Sequence, residues 1–132
     1  MGTNLDTMHR FLAAWQRSWE TACRTFIADD FECIEPPGLP QSGTFRGWDA
    51  PIQISNIYRG IWDVEVLDYQ FWDEEGKGVV VSRYLMKWTS KTTGRSITQP
   101  VVELNHVKDG KLVRMEVFHH DPTGLAATLV VA

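Results

Sequence analysis

The sequence predicts an α+β fold, in which three N-terminal helices pack on a strongly curved mixed or antiparallel β-sheet that encloses a pocket. Two observations predict this class. In the N-terminal part, apolar side chains recur every three or four positions, which is typical of amphipathic helices. From Trp62 onward, long segments alternate apolar and polar residues, which is typical of antiparallel strands. No repeat, linker or low-complexity segment divides the chain, so we expect one domain over residues 1–132.

Two helices and a short strand are predicted first. The first helix would begin at an N-cap and present one apolar face. The face consists of Met8, Phe11, Leu12, Trp15 and Trp19, and the candidate caps are Asn4, Asp6 and Thr7. A second helix over residues 20–27 would end at Asp29 and Asp30. A strand over 31–35 would then enter a stiff loop over 36–40, because prolines exclude helix there.

A third helix and two long strands should follow. Asp49 is the predicted N-cap of the helix, which would end near Gly60. A strand over 62–72 follows, with a bulge at Leu67-Asp68, where strict alternation breaks. In the next strand, over 79–89, one side-chain set should face inward. That set is Tyr84, Met86 and Trp88.

A β-hairpin over residues 96–121 carries the most informative pattern. Its strands flank the turn residues Asp109 and Gly110. The inner face would consist of Gln99, Val101, Glu103, Asn105, Val107, Met115, Val117 and His119. A buried polar group without a partner costs about 1–3 kcal/mol, so these polar side chains are either partnered or face a pocket. We expect a pocket. A short apolar tail over 125–131 should end the chain.

Composition narrows the function classes. Six Trp, six Phe and three Tyr suit the wall of a ligand cavity, although they could equally fill a core or a dimer contact. The net charge of −4 and the lack of any Lys/Arg run argue against nucleic acid and anionic membranes. No apolar run is long enough to span a bilayer. Cys23 and Cys33 are expected to be reduced thiols in a cytoplasmic protein.

Three stretches resemble a known family across nearly the whole chain. They are IADDFECIEP at 27–36, GTFRG at 43–47 and VELNHVKDGKL at 102–112. In these stretches the chain resembles the nuclear transport factor 2-like (NTF2-like) superfamily, in its SnoaL-like and ketosteroid isomerase-like branch. The resemblance implies a cone-shaped domain with a pocket at its open mouth.

The resemblance also implies roles for particular residues. Glu35 falls where ketosteroid isomerases keep the Asp that shuttles the proton. Glu103 falls where they keep a protonated Asp that donates to the oxyanion, and His119 falls on a pocket-lining position. Phe11 aligns with the Tyr of the oxyanion hole and has no hydroxyl to donate. Tyr84 or Tyr58 could substitute. The ending His119-His120-Asp121 also resembles SnoaL-like polyketide cyclases.

The first functional hypothesis is acid/base isomerisation, cyclisation or dehydration of a small polyketide-, terpenoid- or steroid-like molecule, without a cofactor. Glu35, Glu103 and His119 would be catalytic, because burial raises a carboxyl pKa toward neutrality. The substrate would contact Phe11, Trp15, Tyr58, Tyr84, Met86, Trp88, Gln99, Val101, Asn105, Met115, Val117 and Asp121. We expect no metal, because alternation denies His106, His119 and His120 a common face.

The second hypothesis is a non-catalytic module that binds a hydrophobic ligand or assembles as a dimer. In that case Glu35 would pair with Arg46 or Arg59, and Asp121 would cap a turn. Glu103 would bond to Tyr84 or His119. A homodimer through the outer sheet face is expected under either hypothesis. The candidate contact residues are Trp72, Leu85 and Phe118.

Overall fold

The computed structural model describes residues 3–74 and 76–131 and confirms an α+β fold. Six strands form one curved, open sheet in the order β2-β1-β6-β5-β4-β3. The elements are α1 Asn4–Arg17, α2 Trp19–Phe26, β1 Ile27–Glu35, β2 Gly43–Arg46, α3 Ala50–Ile61, β3 Trp62–Glu74, β4 Val79–Ser90, β5 Ser96–Lys108, β6 Lys111–His119 and α4 Pro122–Ala127. β1 pairs with β6 in parallel, and every other pairing is antiparallel.

The first predicted helical face is divided between two helices. Ser18 adopts an extended conformation (φ −158°, ψ 117°) and caps α2, because its hydroxyl accepts from the Thr21 amide at 3.2 Å. Trp19 therefore belongs to α2, although its ring still stacks on Trp15 at 5.0 Å. The predicted caps of α1 were wrong by one or more residues. Thr3 is the N-cap.

The strand β1 begins four residues earlier than predicted. Ile27 pairs with Leu112 of β6, so the chain is extended from that point. Asp29 and Asp30 lie inside the strand and do not end a helix, which corrects the prediction. Both are exposed, and the register with β6 shifts between Ile27 and Glu32. A tertiary pairing with a distant strand thus overrides the local helix pattern.

The β5–β6 hairpin has the predicted register. Val101 pairs with His119, Glu103 with Val117 and Asn105 with Met115. Directly opposed residues of an antiparallel pair lie on one face, so the predicted inner face is confirmed. The turn also fits, because Asp109 (φ 52°) and Gly110 (φ 76°) occupy the left-handed region that a two-residue hairpin loop requires. The predicted bulge of β3 lies between Val66 and Asp68.

A fourth helix takes the place of much of the predicted apolar tail. The Asp121 carboxylate accepts from the Gly124 amide at 2.8 Å and caps α4. The indole of Trp62 donates to the Thr128 hydroxyl at 2.8 Å, so the end of the chain is fixed against the start of β3. Leu125 is fully buried. Within the described ranges, no helix combines the length and the apolarity that crossing a membrane requires.

Candidate active site

A cavity of about 180 Å³ lies between α1, α3 and the inner face of the sheet. It opens to solvent, and most of its wall is apolar or aromatic. The wall consists of Phe11, Leu12, Trp15, Cys33, Glu35, Pro51, Ile54, Ser55, Tyr58, Arg59, Val66, Tyr84, Met86, Glu103 and Met115. Because three strands and one helix contribute carboxyl, phenol and guanidinium groups to one apolar space, this cavity is the candidate ligand site.

The first carboxyl group, Glu35, ends β1 and lies beside His119 of β6. The two side chains are almost completely buried, and Nε2 of His119 is 3.6 Å from Oε1 of Glu35. At this separation the histidine does not complete a hydrogen bond, and Oε1 is buried without a partner. Burial raises the pKa of Glu35, and His119 offsets only part of that rise. Glu35 is therefore a stronger base than a carboxylate in water.

The second carboxyl group, Glu103, is held by a chain of donors on the inner face. The Ser82 hydroxyl donates to Oε1 of Glu103 at 3.0 Å, and the Asn105 amide donates to Ser82 at 3.1 Å. Burial raises the pKa of Glu103 to about 7, and the nearby charge of Glu35 adds to the rise. Near neutral pH, Glu103 can therefore carry a proton and donate a hydrogen bond.

Two phenols and one phenyl ring surround the carboxyl groups. Tyr58 and Tyr84 both line the cavity, and burial raises the pKa of each, so both remain protonated donors near neutral pH. The Tyr58 oxygen accepts from the Ser55 hydroxyl at 3.3 Å, which leaves the phenolic hydrogen of Tyr58 available. Phe11 lies in the same wall and offers only an apolar ring.

Eight of the fifteen sequence-predicted site residues form the wall. They are Phe11, Trp15, Glu35, Tyr58, Tyr84, Met86, Glu103 and Met115. His119 stands outside the wall and reaches the site through Glu35. The alternation in the hairpin therefore placed Glu103 on the correct face of the sheet. The helical spacing placed the aromatic side chains of Phe11 and Trp15 in the cavity wall.

Six residues that the sequence predicts as substrate contacts lie outside the wall of this cavity. Gln99 accepts from the Asp121 amide at 2.6 Å and donates to its carbonyl at 3.1 Å, so these two residues hold the end of β6. The Asn105 amide donates a hydrogen bond to the Ser82 hydroxyl. Trp88 packs edge-on against Trp62 at 5.6 Å. Val101 and Val117 are buried in the core. The inner face extends beyond the cavity, so alternation alone overcounted the site.

Seven wall residues were not predicted. They are Leu12, Cys33, Pro51, Ile54, Ser55, Arg59 and Val66. Four wall positions of α3, residues 51, 54, 55 and 58, have the spacing of one helix face, a signal that could have revealed them. Cys33 has a thiol whose pKa is raised by burial, so it is a poor nucleophile. Both cysteines are free thiols, as predicted.

The alternative partners proposed for Glu35 are not the ones observed. Arg46 lies 3.4 Å from Glu32 on the outer face, and Glu35 contacts His119. His106 contacts Glu116 at 3.5 Å, also on the outer face. Among the residues that the structure describes, no three His, Cys, Asp or Glu side chains are grouped as metal ligands would be.

Comparison with known proteins agrees with this geometry. The model of the SnoaL-like domain family matches residues 8–115, which include both carboxyl groups of the cavity. The chain belongs to the SnoaL-like domain family. Together with the family match, an NTF2-like structure at 26% identity supports the NTF2-like superfamily that the sequence motifs indicated.

Three solved structures illustrate the likeness. An NTF2-like protein of Burkholderia xenovorans has a TM-score of 0.83 and 21% identity, over 95% of this chain and 94% of that one. An NTF2-like protein of Burkholderia thailandensis has a TM-score of 0.80 and 26% identity, over 99% and 100%. A proposed SnoaL-like polyketide cyclase of Mesorhizobium loti has a TM-score of 0.67 and 23% identity, over 89% and 99%.

One curated relative matches a short segment. An uncharacterised protein of Sulfolobus islandicus filamentous virus is 42% identical over 45 residues, which is 34% of this chain. The matched segment is 21% of the length of that viral protein.

Proposed function

We propose that this SnoaL-like chain is an acid/base enzyme that isomerises, cyclises or dehydrates a small hydrophobic carbonyl compound without a cofactor. The observation that carries the proposal is the presence of Glu35 and Glu103 in one largely apolar wall, where burial raises the pKa of both carboxyl groups. Titratable groups perturbed in this way within a cleft are typical of active sites. The relative named as a polyketide cyclase supports the same reaction class.

The proposed first step is proton abstraction. Glu35, as a carboxylate, removes a proton from the carbon next to the substrate carbonyl. The electron pair of that C–H bond forms a carbon–carbon double bond, the π pair of the carbonyl moves onto its oxygen, and the product is an enolate. Glu103, in its protonated form, donates a hydrogen bond to this oxygen. This reaction needs no cofactor, because the substrate carbonyl itself accepts the electron pair.

The second step decides the product. In isomerisation, Glu35 returns its proton to a different carbon of the enolate. In cyclisation, the enolate carbon attacks a second carbonyl carbon, whose oxygen takes up the proton. In dehydration, the enolate re-forms the carbonyl and a new carbon–carbon double bond as the β-hydroxyl takes the proton from Glu35 and leaves as water. His119 has a positioning role in all three, because it contacts Glu35 and stands outside the cavity wall.

The enolate oxygen would need a second hydrogen-bond donor besides Glu103. Phe11 cannot be that donor, because it has no hydroxyl. Tyr58 and Tyr84 both remain candidates, since each lines the cavity with a protonated phenol. Tyr58 has the additional advantage that its oxygen already accepts from Ser55, so its own hydrogen is free.

The size of the cavity favours a small reacting group. An apolar cavity of about 150 Å³ accommodates benzene, and this cavity measures about 180 Å³. A single ring therefore fits inside, while a larger polyketide, terpenoid or steroid would have to extend through the mouth.

The test uses cyclohex-3-en-1-one, whose isomerisation to the conjugated ketone is followed by ultraviolet absorbance. Glu35→Gln and Glu103→Gln should each lower kcat/KM by about 10²–10⁴-fold, the usual contribution of a positioned acid or base. The exposed Glu65→Gln is the matched control and should change kcat/KM little. Melting temperatures of all three variants should stay near or above the parent value.

The non-catalytic alternative predicts a different result. A binding module would show no turnover of the ketone by the parent protein. Alternatively, the two cavity variants would unfold, and ligand affinity would fall in parallel with stability. Either outcome would refute acid/base catalysis and favour a module that only binds or assembles.

A further inference from the structure

The cavity wall holds a positive charge that the acid/base chemistry does not use. Among the described wall residues, Arg59 is the one cationic side chain. Its guanidinium lies 5.5 Å from the ring centroid of Trp19 and 5.5 Å from that of Tyr58. The two aromatic rings therefore fix the guanidinium in place, as cation–π contacts do.

Arg59 is also not neutralised by the protein. Within residues 3–74 and 76–131, no carboxylate lies at salt-bridge distance from it. Its Nε atom is buried and has no hydrogen-bond partner. A buried donor without a partner costs free energy, and a guanidinium presents its donors in a planar fork that matches a carboxylate. An anionic ligand group would satisfy both the charge and the donor.

The positive charge of Arg59 and the two carboxyl groups belong to the same cavity. Tyr58 and Arg59 line the same cavity as Glu35 and Glu103. One ligand molecule in this cavity can therefore contact both the guanidinium and the carboxyl groups. Such a ligand carries an anionic group and a carbonyl group on one apolar body.

We propose that Arg59 binds an anionic oxygen group, a carboxylate or an acidic enol, of the substrate and so selects organic acids over neutral compounds. This inference rests on the proposed function, because it specifies the substrate class of the same cavity. The aromatic neighbours orient the planar guanidinium, and the largely apolar wall lowers the solvation of an ion pair formed there.

The test compares phenylacetate with phenylacetamide, which differ little in size but differ in charge. Isothermal titration calorimetry on the parent protein should give phenylacetate about tenfold higher affinity, the value of one added hydrogen bond to a charged group. Arg59→Gln should abolish this preference. Arg59→Lys should retain part of it, because the charge remains while the planar fork is lost.

Arg10→Gln is the matched control. The Arg10 guanidinium lies 5.6 Å from the Phe26 ring, so the variant removes an equal charge and a similar aromatic contact away from the cavity. Its preference for phenylacetate should equal that of the parent. Melting temperatures show whether each variant is folded. The comparison of phenylacetate with phenylacetamide on the parent protein does not depend on any variant.

Equal affinity of the parent for the acid and the amide, or binding of neither compound, would overturn the inference. A preference that survives in Arg59→Gln would overturn it as well. These failures are distinguishable from failure of the proposed function. Normal isomerisation of the ketone without an acid preference contradicts this inference alone, whereas an intact acid preference with unchanged turnover in Glu35→Gln contradicts acid/base catalysis alone.

Discussion

Two carboxylate–histidine pairs lie on opposite faces of the same sheet, at almost the same separation. On the inner face, His119 is 3.6 Å from Glu35, and their side chains are 2% and 8% exposed. On the outer face, His106 is 3.5 Å from Glu116, and their side chains are 35% and 29% exposed. The inner glutamate has a raised pKa, whereas the outer glutamate has a lowered one.

The difference shows that surroundings, and not pair geometry, determine the chemistry of each carboxylate. Burial dominates at Glu35, and His119 offsets only part of its effect on the pKa. Arg114 dominates at Glu116, since its Nε donates to the Glu116 carboxylate at 3.0 Å and the same guanidinium also contacts Glu32. The inner pair is therefore suited to proton transfer, and the outer pair forms part of a solvated charge network.

The largest expected effect concerns Glu103 and pH. Its pKa is about 7 in the folded protein and 4.5 for a glutamate in water, so the folded state binds more protons between these pH values. Stability should therefore fall as pH rises from about 4.5 to about 7, by on the order of 3 kcal/mol. Glu103→Gln should remove this slope and be the more stable protein at pH 8, as measured by urea unfolding across the pH range. An unchanged slope would show that Glu103 is not desolvated.

The next effect concerns the outer face itself. Trp72 and Phe118 lie on this face and are about half exposed, whereas Leu85 is partly buried. We propose that this face mediates a homodimer. Phe118→Glu should weaken association by about 2 kcal/mol, the usual size of an interface hot spot, without changing the melting temperature of the monomer. Analytical ultracentrifugation of parent and variant measures it. A monomeric parent at high concentration would disprove the proposal.

A third comparison replaces each histidine in turn. His119→Gln should lower kcat for the ketone probe by about tenfold, since Glu35 loses its orienting neighbour, and KM should change little. His106→Gln, on the other face, should leave both constants unchanged. If both variants lost activity equally, the loss would come from a general disturbance of the sheet. His119 would then have no specific role in turnover.

The smallest effect belongs to the outer carboxylate. Because Arg114 lowers the pKa of Glu116, that pair stabilises the fold above pH 4.5, and the stabilisation is lost as the pH falls further. Glu116→Gln should cost about 0.5 kcal/mol at neutral pH, and added salt should reduce that cost. Thermal unfolding at low and high ionic strength checks it. A salt-independent loss would indicate a packing role.

Alternation was enough to predict the hairpin and its face, because side chains in a strand repeat every second residue and the turn fixes the register. It placed Glu103 correctly. It could not predict that Gln99 and Asn105 satisfy the backbone of Asp121 and the hydroxyl of Ser82, since these are contacts between distant segments. The early start of β1 was missed for the same reason.

The helical part shows a similar limit. The spacing of apolar residues located α1 and α3, but the cap at Ser18 depends on a local hydrogen bond that competes with a continuous helix. The role of Arg59 was not predicted as part of the wall, because the sequence does not show which side of α3 faces the carboxyl groups. Its aromatic neighbours come from two different helices.

The parallel pairing of β1 with β6 has a consequence for synthesis on the ribosome. Glu35 and His119 meet only after the last strand has left the exit tunnel, because one belongs to the first strand and the other to the last. Closing so long a loop is entropically slow. Until β6 emerges, β1 of the nascent chain can pair only with β2, and its other edge remains open to non-native strand pairing and aggregation.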